Sequence, residues 1–469
     1  MMSILKSFFA FLILFFFSPS IIIAQDSFPL LSGTVDLSVK NGTFKCDFTL
    51  SNIPRIEDYY IRINAGMNIL SFRNIEANKL IYFEKSFSDT ISTGETIAYY
   101  FPGNKGKGKF LPKAVEFKYV GMYPVIFDTL KNYSVEDWKG NIAFNGYSVR
   151  TDGSQSAWYP VLYDIKKDIR YDKVKYDITI NCTDCNSLYV NGSKPIKGNK
   201  GQFKSDIPQQ LTMFSGNYKI ANVNGTYVLN PNMNEKQIVT FGEITNAYKH
   251  YYEENLKIPY KQTITYIQTT PTSKYNAWLF VSYPTIVTIG HGKDGLLGFF
   301  DKKGGDWYRQ YIAHELAHYY FGSLKQFNAS LGDMMSEGFS EYLSLKITKN
   351  LISDSIYNKK IAEKIKNLNK TTPLPFGKIN SSSDYENRNL YVYTYAPLIF
   401  LSVEKEIGEQ KMWAWLKKII ETPTDFTDYA FLKNTLSSVL EDKIKFDLII
   451  EKYFEAGNAF DNIVKQLSL

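Results

Sequence analysis

The segment between residues 311 and 342 constrains the fold of this chain more than any other. It contains His314, Glu315 and His318 in the order H-E-x-x-H. Residues four apart on a helix share a face, so both imidazoles can point at one metal ion, and Glu315 can reach a water held on that ion. The alternative is a buried helix whose polar side chains form ion pairs, but burying unpartnered imidazole and carboxyl groups is costly. The segment therefore predicts a metal-binding helix.

A third ligand is expected downstream, because a catalytic zinc site usually takes three protein ligands and keeps one position open. After 18 further residues comes Glu337, in the sequence S-E-G-F-S-E-Y. A helix, a short loop and a returning antiparallel helix would bring this carboxylate back to the two histidines. Asp333 and Glu341 flank Glu337 by one helical turn. Either is a candidate for orienting an imidazole, and either is equally compatible with a solvated helix surface.

Residues 1–24 have the pattern of a secretory signal peptide. Lys6 supplies a positive charge, an apolar run follows, Pro19 interrupts it, and Ala24 precedes Gln25 at a plausible cleavage point. The alternative is an uncleaved anchor, but the apolar run is short for a bilayer-spanning helix. We therefore expect a secreted or periplasmic protein with no stable membrane span after cleavage.

Charge and cysteine content bear on two further questions, whether the chain binds nucleic acid and what its cysteines do. The net charge of +7 is spread along the chain without a basic run, which argues against a nucleic acid partner. The three cysteines are Cys46, Cys182 and Cys185. The last two could close a small loop, and a structural bridge or free thiols are favoured over a redox motif or a zinc knuckle.

Hydropathy patterning divides the rest of the chain into two predicted domains, residues 25–230 and residues 231–469. In the first, runs of alternating apolar and polar residues are separated by Asn-Gly turns that begin at Asn41, Asn191 and Asn224. In the second, helical periodicity dominates after two strand-like runs. Helices are predicted near residues 235–256, 306–322, 333–349, 353–367, 385–405, 408–421, 426–440 and 443–456.

Four further segments accompany the motif: SAWYPVLYDIKKDIRYDKVKYDITI (156–180), LTMFSGNYKI (211–220), YYEENLKIPYKQTITYIQ (251–268) and VYTYAPLIFLSVEKEIGEQKMWAWLKKI (392–419). Together with H-E-x-x-H and the later E-G-F, they resemble the aminopeptidase N family of gluzincin metallopeptidases. The resemblance implies an α+β fold. A β-rich sandwich or saddle domain would precede a thermolysin-like zinc metallopeptidase domain, which has a helical lobe and a short C-terminal helical extension.

The same resemblance implies roles for individual residues. His314, His318 and Glu337 would be the ligands of one zinc ion, and Glu315 would be the general base. Tyr393 aligns with the family tyrosine that stabilises the oxyanion. In the family's Y-x-K-G sequence a lysine follows two positions later, where this chain has Tyr395. Tyr391 and Tyr395 remain alternatives to Tyr393, and aromatic core packing is the other reading of the cluster.

One family motif is missing. The family carries G-x-M-E-N some way before the zinc helix, and its Glu binds the α-amino group of the substrate. The corresponding residues 278–295 contain no Glu, and the nearest acid is Asp294. The sequence TIGHG (288–292) is expected to supply an edge strand for the substrate backbone. Residues 151–155 lie where the family offers a polar contact to the amine.

These features together predict a secreted zinc metallopeptidase that acts on peptide or protein substrates through zinc-activated water and a Glu general base. The family resemblance favours an aminopeptidase, whereas the missing acidic anchor favours an endopeptidase. Two further alternatives are a catalytically inactive binding protein on a peptidase fold, and a zinc hydrolase of a non-peptide substrate such as an epoxide.

Overall fold

The computed structural model describes residues 28–88, 91–92, 94–103, 108–127, 140–269, 278–290, 295–368, 373–385 and 387–467. The predicted signal peptide and Asp294 lie outside these ranges. Within them, strands dominate before residue 230 and helices after it. The predicted α+β class, with a β-rich first part and a helical second part, is confirmed.

The first part consists of strands and one short helix. In chain order they are β1 (Leu30–Ser38), β2 (Thr43–Ser51), β3 (Tyr59–Asn64), β4 (Met67–Asn74), β5 (Lys79–Leu80), β6 (Glu84–Ser86), β7 (Thr96–Tyr100), β8 (Val115–Met122), β9 (Ile142–Phe144), β10 (Ser148–Thr151), α1 (Gly153–Ser156), β11 (Val161–Asp164), β12 (Ile169–Tyr171), β13 (Val174–Cys182), β14 (Ser187–Val190), β15 (Ile196–Lys197), β16 (Lys200–Gln209) and β17 (Met213–Gly216).

In the described ranges these strands form three sheets. One has the order β16-β13-β1-β2-β8-β4-β5, the second β15-β14-β17-β10-β9, and the third β12-β11-β3-β7-β6. Strand β13 shows why the register is fixed: Tyr176, Ile178 and Ile180 are buried, and the residues between them are partly exposed. A slip of one residue would turn that apolar set away from the core.

The second part begins with β18 (Ile220–Val223) and β19 (Thr226–Leu229), which are joined by Asn224 and Gly225. Both turn residues have positive φ, 50° and 91°, as a two-residue hairpin turn requires. The predicted Asn-Gly turn is therefore present. Strand β19 pairs in parallel with β20 (Thr265–Thr269). The hairpin thus belongs to the sheet of the second part, although the predicted division at residue 230 follows it.

This fourth sheet has the order β18-β19-β20-β22-β21, where β21 is Trp278–Ser282 and β22 is Thr285–Ile289. The expectation that TIGHG forms the edge strand is wrong for its first two residues, since β22 lies between β20 and β21. The edge is β21, which runs antiparallel to β22. The short β21–β22 turn reverses the chain and places β21 outside its partner.

The helices follow in two groups. Before and around the motif they are α2 (Glu235–Leu256), α3 (Gly305–Ala317), α4 (Gly332–Ile347) and α5 (Asp354–Leu368). The later helices are α6 (Arg388–Leu390), α7 (Ala396–Ile407), α8 (Glu409–Glu421), α9 (Tyr429–Ser437), α10 (Lys443–Ile450) and α11 (Ala459–Leu467).

Three helix predictions differ from the structure. The helix predicted at 443–456 is α10 followed by a π-helical turn at Glu451–Glu455. The motif helix ends at Ala317 because the following amides bond three residues back, as Tyr320 N does to Ala317 O at 2.9 Å. The single helix predicted at 385–405 is α6, then a π-helical turn at Tyr391–Tyr395, then α7. Pro397 has no N–H and cannot continue a regular α-helix through this point. In addition, α11 was not predicted.

The two parts meet through β14 and the fourth sheet. Tyr189 of β14 hydrogen-bonds Thr285 at 2.5 Å, and buried Asn191 donates to the carbonyl of Ser282 at 3.1 Å. The edge strand β21 is therefore anchored by the β-rich part of the chain.

In the β-rich part, Cys182 and Cys185 form a disulfide, so of the two favoured alternatives the structural bridge is present rather than free thiols. No helix among the described residues has the length and apolar character needed to span a bilayer.

Candidate metal centre

Helices α3 and α4 bring three potential ligand atoms to one point. His314 Nε2 lies 3.1 Å from His318 Nε2 and 3.2 Å from Glu337 Oε2. His318 Nε2 is 3.5 Å from the same carboxylate oxygen. His314 is buried, whereas His318 and Glu337 are partly exposed. The predicted return of Glu337 to the two histidines is thus present as a triangle of two nitrogen atoms and one oxygen atom.

The triangle fits a zinc ion. Tetrahedral zinc with ligand bonds of about 2.0–2.2 Å separates its ligand atoms by roughly 3.3–3.6 Å. His318 Nδ1 lies 3.1 Å from the carbonyl oxygen of Phe321, which can only accept a hydrogen bond. The Nδ1 of His318 therefore carries a proton, and its neutral form directs the Nε2 lone pair at the other two atoms. A metal ion or a proton between these atoms would relieve the repulsion between their lone pairs.

Behind His314 stands the carboxylate of Glu341. His314 Nδ1 is 3.1 Å from Glu341 Oε2, and Gln310 and Lys364 donate to Glu341 Oε1 at 3.1 Å and 2.7 Å. Of the two acids that flank Glu337, Glu341 thus holds an imidazole. This carboxylate–histidine pair fixes the ring and makes Nε2 a better ligand.

The electrostatics of the centre match a cation site. Burial lowers the pKa of His314, but the Glu337 and Glu341 carboxylates outweigh it and raise that pKa to about 10. Although burial raises the pKa of Glu337, its hydrogen bonds to His314 and His318 hold it far below its usual range. Without a metal, the site therefore holds a proton among these groups, and metal binding must displace it.

Helix α3 leads into a tight turn that keeps His318 in place. Gly322 has φ +136°, and a Cβ there would lie 3.4 Å from the backbone oxygen of His318 and 3.3 Å from Ser336 Oγ. Ser336 donates to the Phe321 carbonyl at 3.1 Å, and Ser340 Oγ lies 3.1 Å from His318 Nδ1. The turn and the start of α4 therefore hold the His318 imidazole in position.

Glu315 is buried beside the two histidines. Burial raises its pKa, with a further contribution from Glu337, while His318 and His314 oppose the shift. Its charge also acts on Tyr311, whose hydroxyl donates to the Leu279 carbonyl of β21 at 3.2 Å. A carboxyl group with a raised pKa next to a metal site is suited to accept and return a proton.

Of the three candidate tyrosines, Tyr393 is the one that lies beside the proposed metal ligands. Its ring centre is 5.8 Å from that of His314, and its hydroxyl interacts with Glu337. Burial, reinforced by Glu337, raises the pKa of Tyr393 to about 12, so the hydroxyl keeps its proton. Tyr391 instead accepts a hydrogen bond from Leu374 N, and Tyr395 is fully buried against Tyr391.

Arg388 is a member of the site that sequence reasoning missed. Its guanidinium binds Asp333 with two hydrogen bonds of 2.5 Å and 2.7 Å and reaches Glu337 Oε1 at 3.3 Å. It also lies 5.8 Å from the ring centre of Tyr393. The only sequence signal was its position five residues before Tyr393, which is uninformative without the turn between them. Asp333 is therefore neutralised by an arginine rather than aimed at a histidine.

The structure supplies no acid on the edge strand. Residues 278–290 contain neither Asp nor Glu. In residues 151–155, Asp152 is buried and paired with Arg150 at 3.0 Å, and Thr151 bonds the backbone of Met213. None of the contacts described for that stretch reaches the metal group. Asp294 lies outside the described residues. An acidic anchor for a substrate amine is thus absent from the described part of β21 and β22.

No protein-family model matches the sequence, and no curated protein matches it either. Solved structures do match. Native leukotriene A4 hydrolase from Saccharomyces cerevisiae is 13% identical, with a TM-score of 0.64, over 92% of this chain and 68% of that one. The M1 zinc metallopeptidase from Deinococcus radiodurans is 11% identical, with a TM-score of 0.59, over 90% and 94%. A mutant of it bound to the peptide Tyr-Ser-Ala is 11% identical, with a TM-score of 0.57, over 94% of both chains. The chain therefore has the fold of the M1 zinc metallopeptidases.

Proposed function

We propose that the chain is a zinc-dependent peptidase whose metal ligands are His314, His318 and Glu337. The observation that carries this proposal is the convergence of two imidazole Nε2 atoms and one carboxylate oxygen within 3.5 Å of one another. The fold shared with zinc metallopeptidases supports it, as does the peptide bound to one of them.

The chain's own residues supply the remaining steps. A zinc ion bound at the triangle would lower the pKa of a water molecule and polarise the scissile carbonyl. Glu315 accepts a proton from the attacking water and later delivers it to the leaving amine. Tyr393, protonated at neutral pH, donates a hydrogen bond to the carbonyl oxygen as negative charge develops on it.

The substrate class depends on how the amino end of the peptide is held. The overall likeness to M1 metallopeptidases favours removal of N-terminal residues. A second candidate is cleavage within the chain, because β21 and β22 offer no carboxylate to an α-ammonium group. Asp333 and Glu337 also share Arg388, so the negative charge of these two carboxylates is partly balanced. We propose aminopeptidase-type activity with the endopeptidase as the alternative.

We also propose that the protein is exported. The signal-peptide pattern of residues 1–24 supports export. The Cys182–Cys185 disulfide suits an oxidising compartment. The N-terminal sequence of protein recovered from the producing cells would test this. A first residue at or near Gln25 would support export with cleavage, and an intact N-terminus in the cytoplasm would exclude it.

Paired peptides test the activity. One peptide has a free N-terminus, its twin is acetylated, and both are incubated with wild type and with Glu315→Gln, which keeps the shape of the carboxylate. Cleavage of the free peptide alone indicates an aminopeptidase, and equal cleavage of both indicates an endopeptidase. In either case Glu315→Gln should be inactive while retaining zinc. Cleavage of neither peptide by zinc-loaded wild type would contradict the proposal.

A further inference from the structure

The π-helical turn before α7 leaves one backbone carbonyl without its helical partner. In an α-helix the N–H of residue 397 would donate to the carbonyl of residue 393. Residue 397 is Pro397, which has no N–H and whose ring clashes with that carbonyl. The turn at Tyr391–Tyr395 is the local result. The carbonyl of Tyr393 therefore lacks the donor that a regular α-helix would give it.

Lys364 of α5 supplies that donor. Its Nζ lies 2.6 Å from the Tyr393 carbonyl oxygen and 2.7 Å from Glu341 Oε1. The side chain of Lys364 is 15% exposed and that of Glu341 is 12% exposed. Two hydrogen bonds from one shielded ammonium are charge-assisted and therefore strong. Burying a lysine ammonium group costs free energy unless it has hydrogen-bond partners, so these two contacts are needed to keep Lys364 in this position.

The two acceptors of Lys364 belong to residues that contact two different ligands of the metal centre. Glu341 is the carboxylate that holds His314 by its Nδ1. The Tyr393 carbonyl belongs to the residue whose hydroxyl interacts with Glu337. A single ammonium group thus connects the support of a metal ligand to the backbone that carries the tyrosine.

We propose that Lys364 is a positioning residue that sets the His314 imidazole and the Tyr393 hydroxyl in register with each other. This inference rests on the proposed zinc peptidase function, because it specifies which residue aligns that function's parts. The Glu341 arm holds the ring orientation that zinc binding requires. The Tyr393 arm holds the backbone from which the tyrosine hydroxyl reaches Glu337. Lys364 itself touches neither substrate nor metal.

The test removes the ammonium and measures the two arms separately. Lys364→Met is expected to lower zinc affinity by about tenfold, the lower end of the loss seen when the group behind a ligating histidine is removed, because Glu341 remains but loses its ion pair. It is also expected to lower kcat of the zinc-saturated enzyme by about tenfold or more, with KM changed little, since the tyrosine acts on the reacting carbonyl. Lys364→Arg keeps the charge and donors and should recover much of both losses.

Lys360, one turn earlier on α5, provides the matched control. It lies near enough for the Glu341 charge to act on it, and it is partly exposed like Lys364. Lys360→Met removes the same charge from the same helix and should leave zinc affinity and kcat within about threefold of wild type. Thermal unfolding of all variants checks that each is folded.

Pro397→Ala separates the Tyr393 arm from the Glu341 arm. The new N–H can engage the Tyr393 carbonyl, so Lys364→Met in that background should cost less in kcat than in wild type. The loss of zinc affinity should stay the same, because Glu341 is unaffected. The proposal is overturned if Lys364→Met binds zinc within about threefold of wild type, or if Lys360→Met loses as much. If wild type cleaves no peptide, the proposed function fails while the zinc-affinity comparison still decides this inference.

Discussion

Gly338 lets helix α4 approach α7, and replacing it should separate the two sides of the site. A Cβ on Gly338 would lie 2.6 Å from the Cβ of Ala396 and 3.2 Å from the Phe400 ring, against an ordinary contact of 3.4–4 Å. The neighbouring residue on α4 is Glu337, and the turn leading into α7 carries Tyr393. In Gly338→Ala, α4 and α7 must move apart by about 1 Å.

The magnitude follows from two opposing terms. Forcing an extra methyl group between packed helices typically costs about 1–3 kcal/mol, and the upper part applies here because the clashing Ala396 atom cannot rotate away. Ala is favoured over Gly in a helix by about 1 kcal/mol. Gly338→Ala should therefore lose about 1–2 kcal/mol. Activity should fall further than stability suggests, because Tyr393 moves relative to Glu337, whereas the α3–α4 metal face stays intact.

A double-mutant cycle with Ala396→Gly isolates the overlap. Ala396→Gly alone should cost about 1 kcal/mol, and the double variant should unfold close to wild type because the clash is gone. The helix-propensity terms cancel in the cycle, so the coupling should be about 2–3 kcal/mol. The assay is the thermal midpoint of the four proteins under matched conditions, together with kcat. Additive effects of the two substitutions would refute the close packing from which this prediction is made.

Three further outcomes are expected. Glu315→Gln should lower kcat by about 10²–10⁴-fold while metal analysis still finds one zinc per chain, and loss of the zinc would contradict its role as a base. Tyr393→Phe should lower kcat by about 10²–10³-fold and Tyr391→Phe by less than about threefold, so equal losses would count against Tyr393 as the donor. Burial raises the pKa of Asp152 from 3.8 to about 6, against the pull of Arg150. The folded state thus binds the proton more tightly than the unfolded chain, and stability is lost as pH rises from about 4 to about 6. Asp152→Asn should remove on the order of 3 kcal/mol of that loss in pH-dependent unfolding, and an unchanged slope would exclude this source.

The first layer of the centre could be predicted because it depends on local periodicity. His314 and His318 share a helix face by their spacing, and a returning helix is the simplest way to bring Glu337 to them. The Asn224 hairpin was likewise predictable, since positive φ at two consecutive positions favours Asn-Gly. In each case a few neighbouring residues determine the geometry.

The supporting residues depend on packing between distant elements and could not be predicted in this way. Asp333 and Glu341 are both one helical turn from Glu337, so their spacing alone could not show which of them orients an imidazole. In the structure the α3–α4 face turns Glu341 towards His314, and Arg388 draws Asp333 the other way. Lys364 has no sequence mark that separates it from other surface lysines. Its role arises only because α5 packs beside a carbonyl that a proline has left open.

The edge strand illustrates a third kind of difference. Residues 285–292 were predicted to form a strand, and residues 278–295 were noted to lack Glu, but which strand lies at the edge depends on the order of pairing. The β21–β22 turn, held by Asn191 of the β-rich part, places Trp278–Ser282 at the edge. The order of pairing is a property of the assembled sheet, and local hydropathy carries no information about it.

A crystal grown with zinc would show whether His314, His318 and Glu337 hold a zinc ion. Anomalous difference maps collected on both sides of the zinc absorption edge would locate the metal. One peak is expected, about 2.0–2.2 Å from His314 Nε2, His318 Nε2 and Glu337 Oε2, and it should be lost in Glu337→Gln. A zinc-loaded crystal with no peak at the triangle, or with its peak on other residues, would contradict the account.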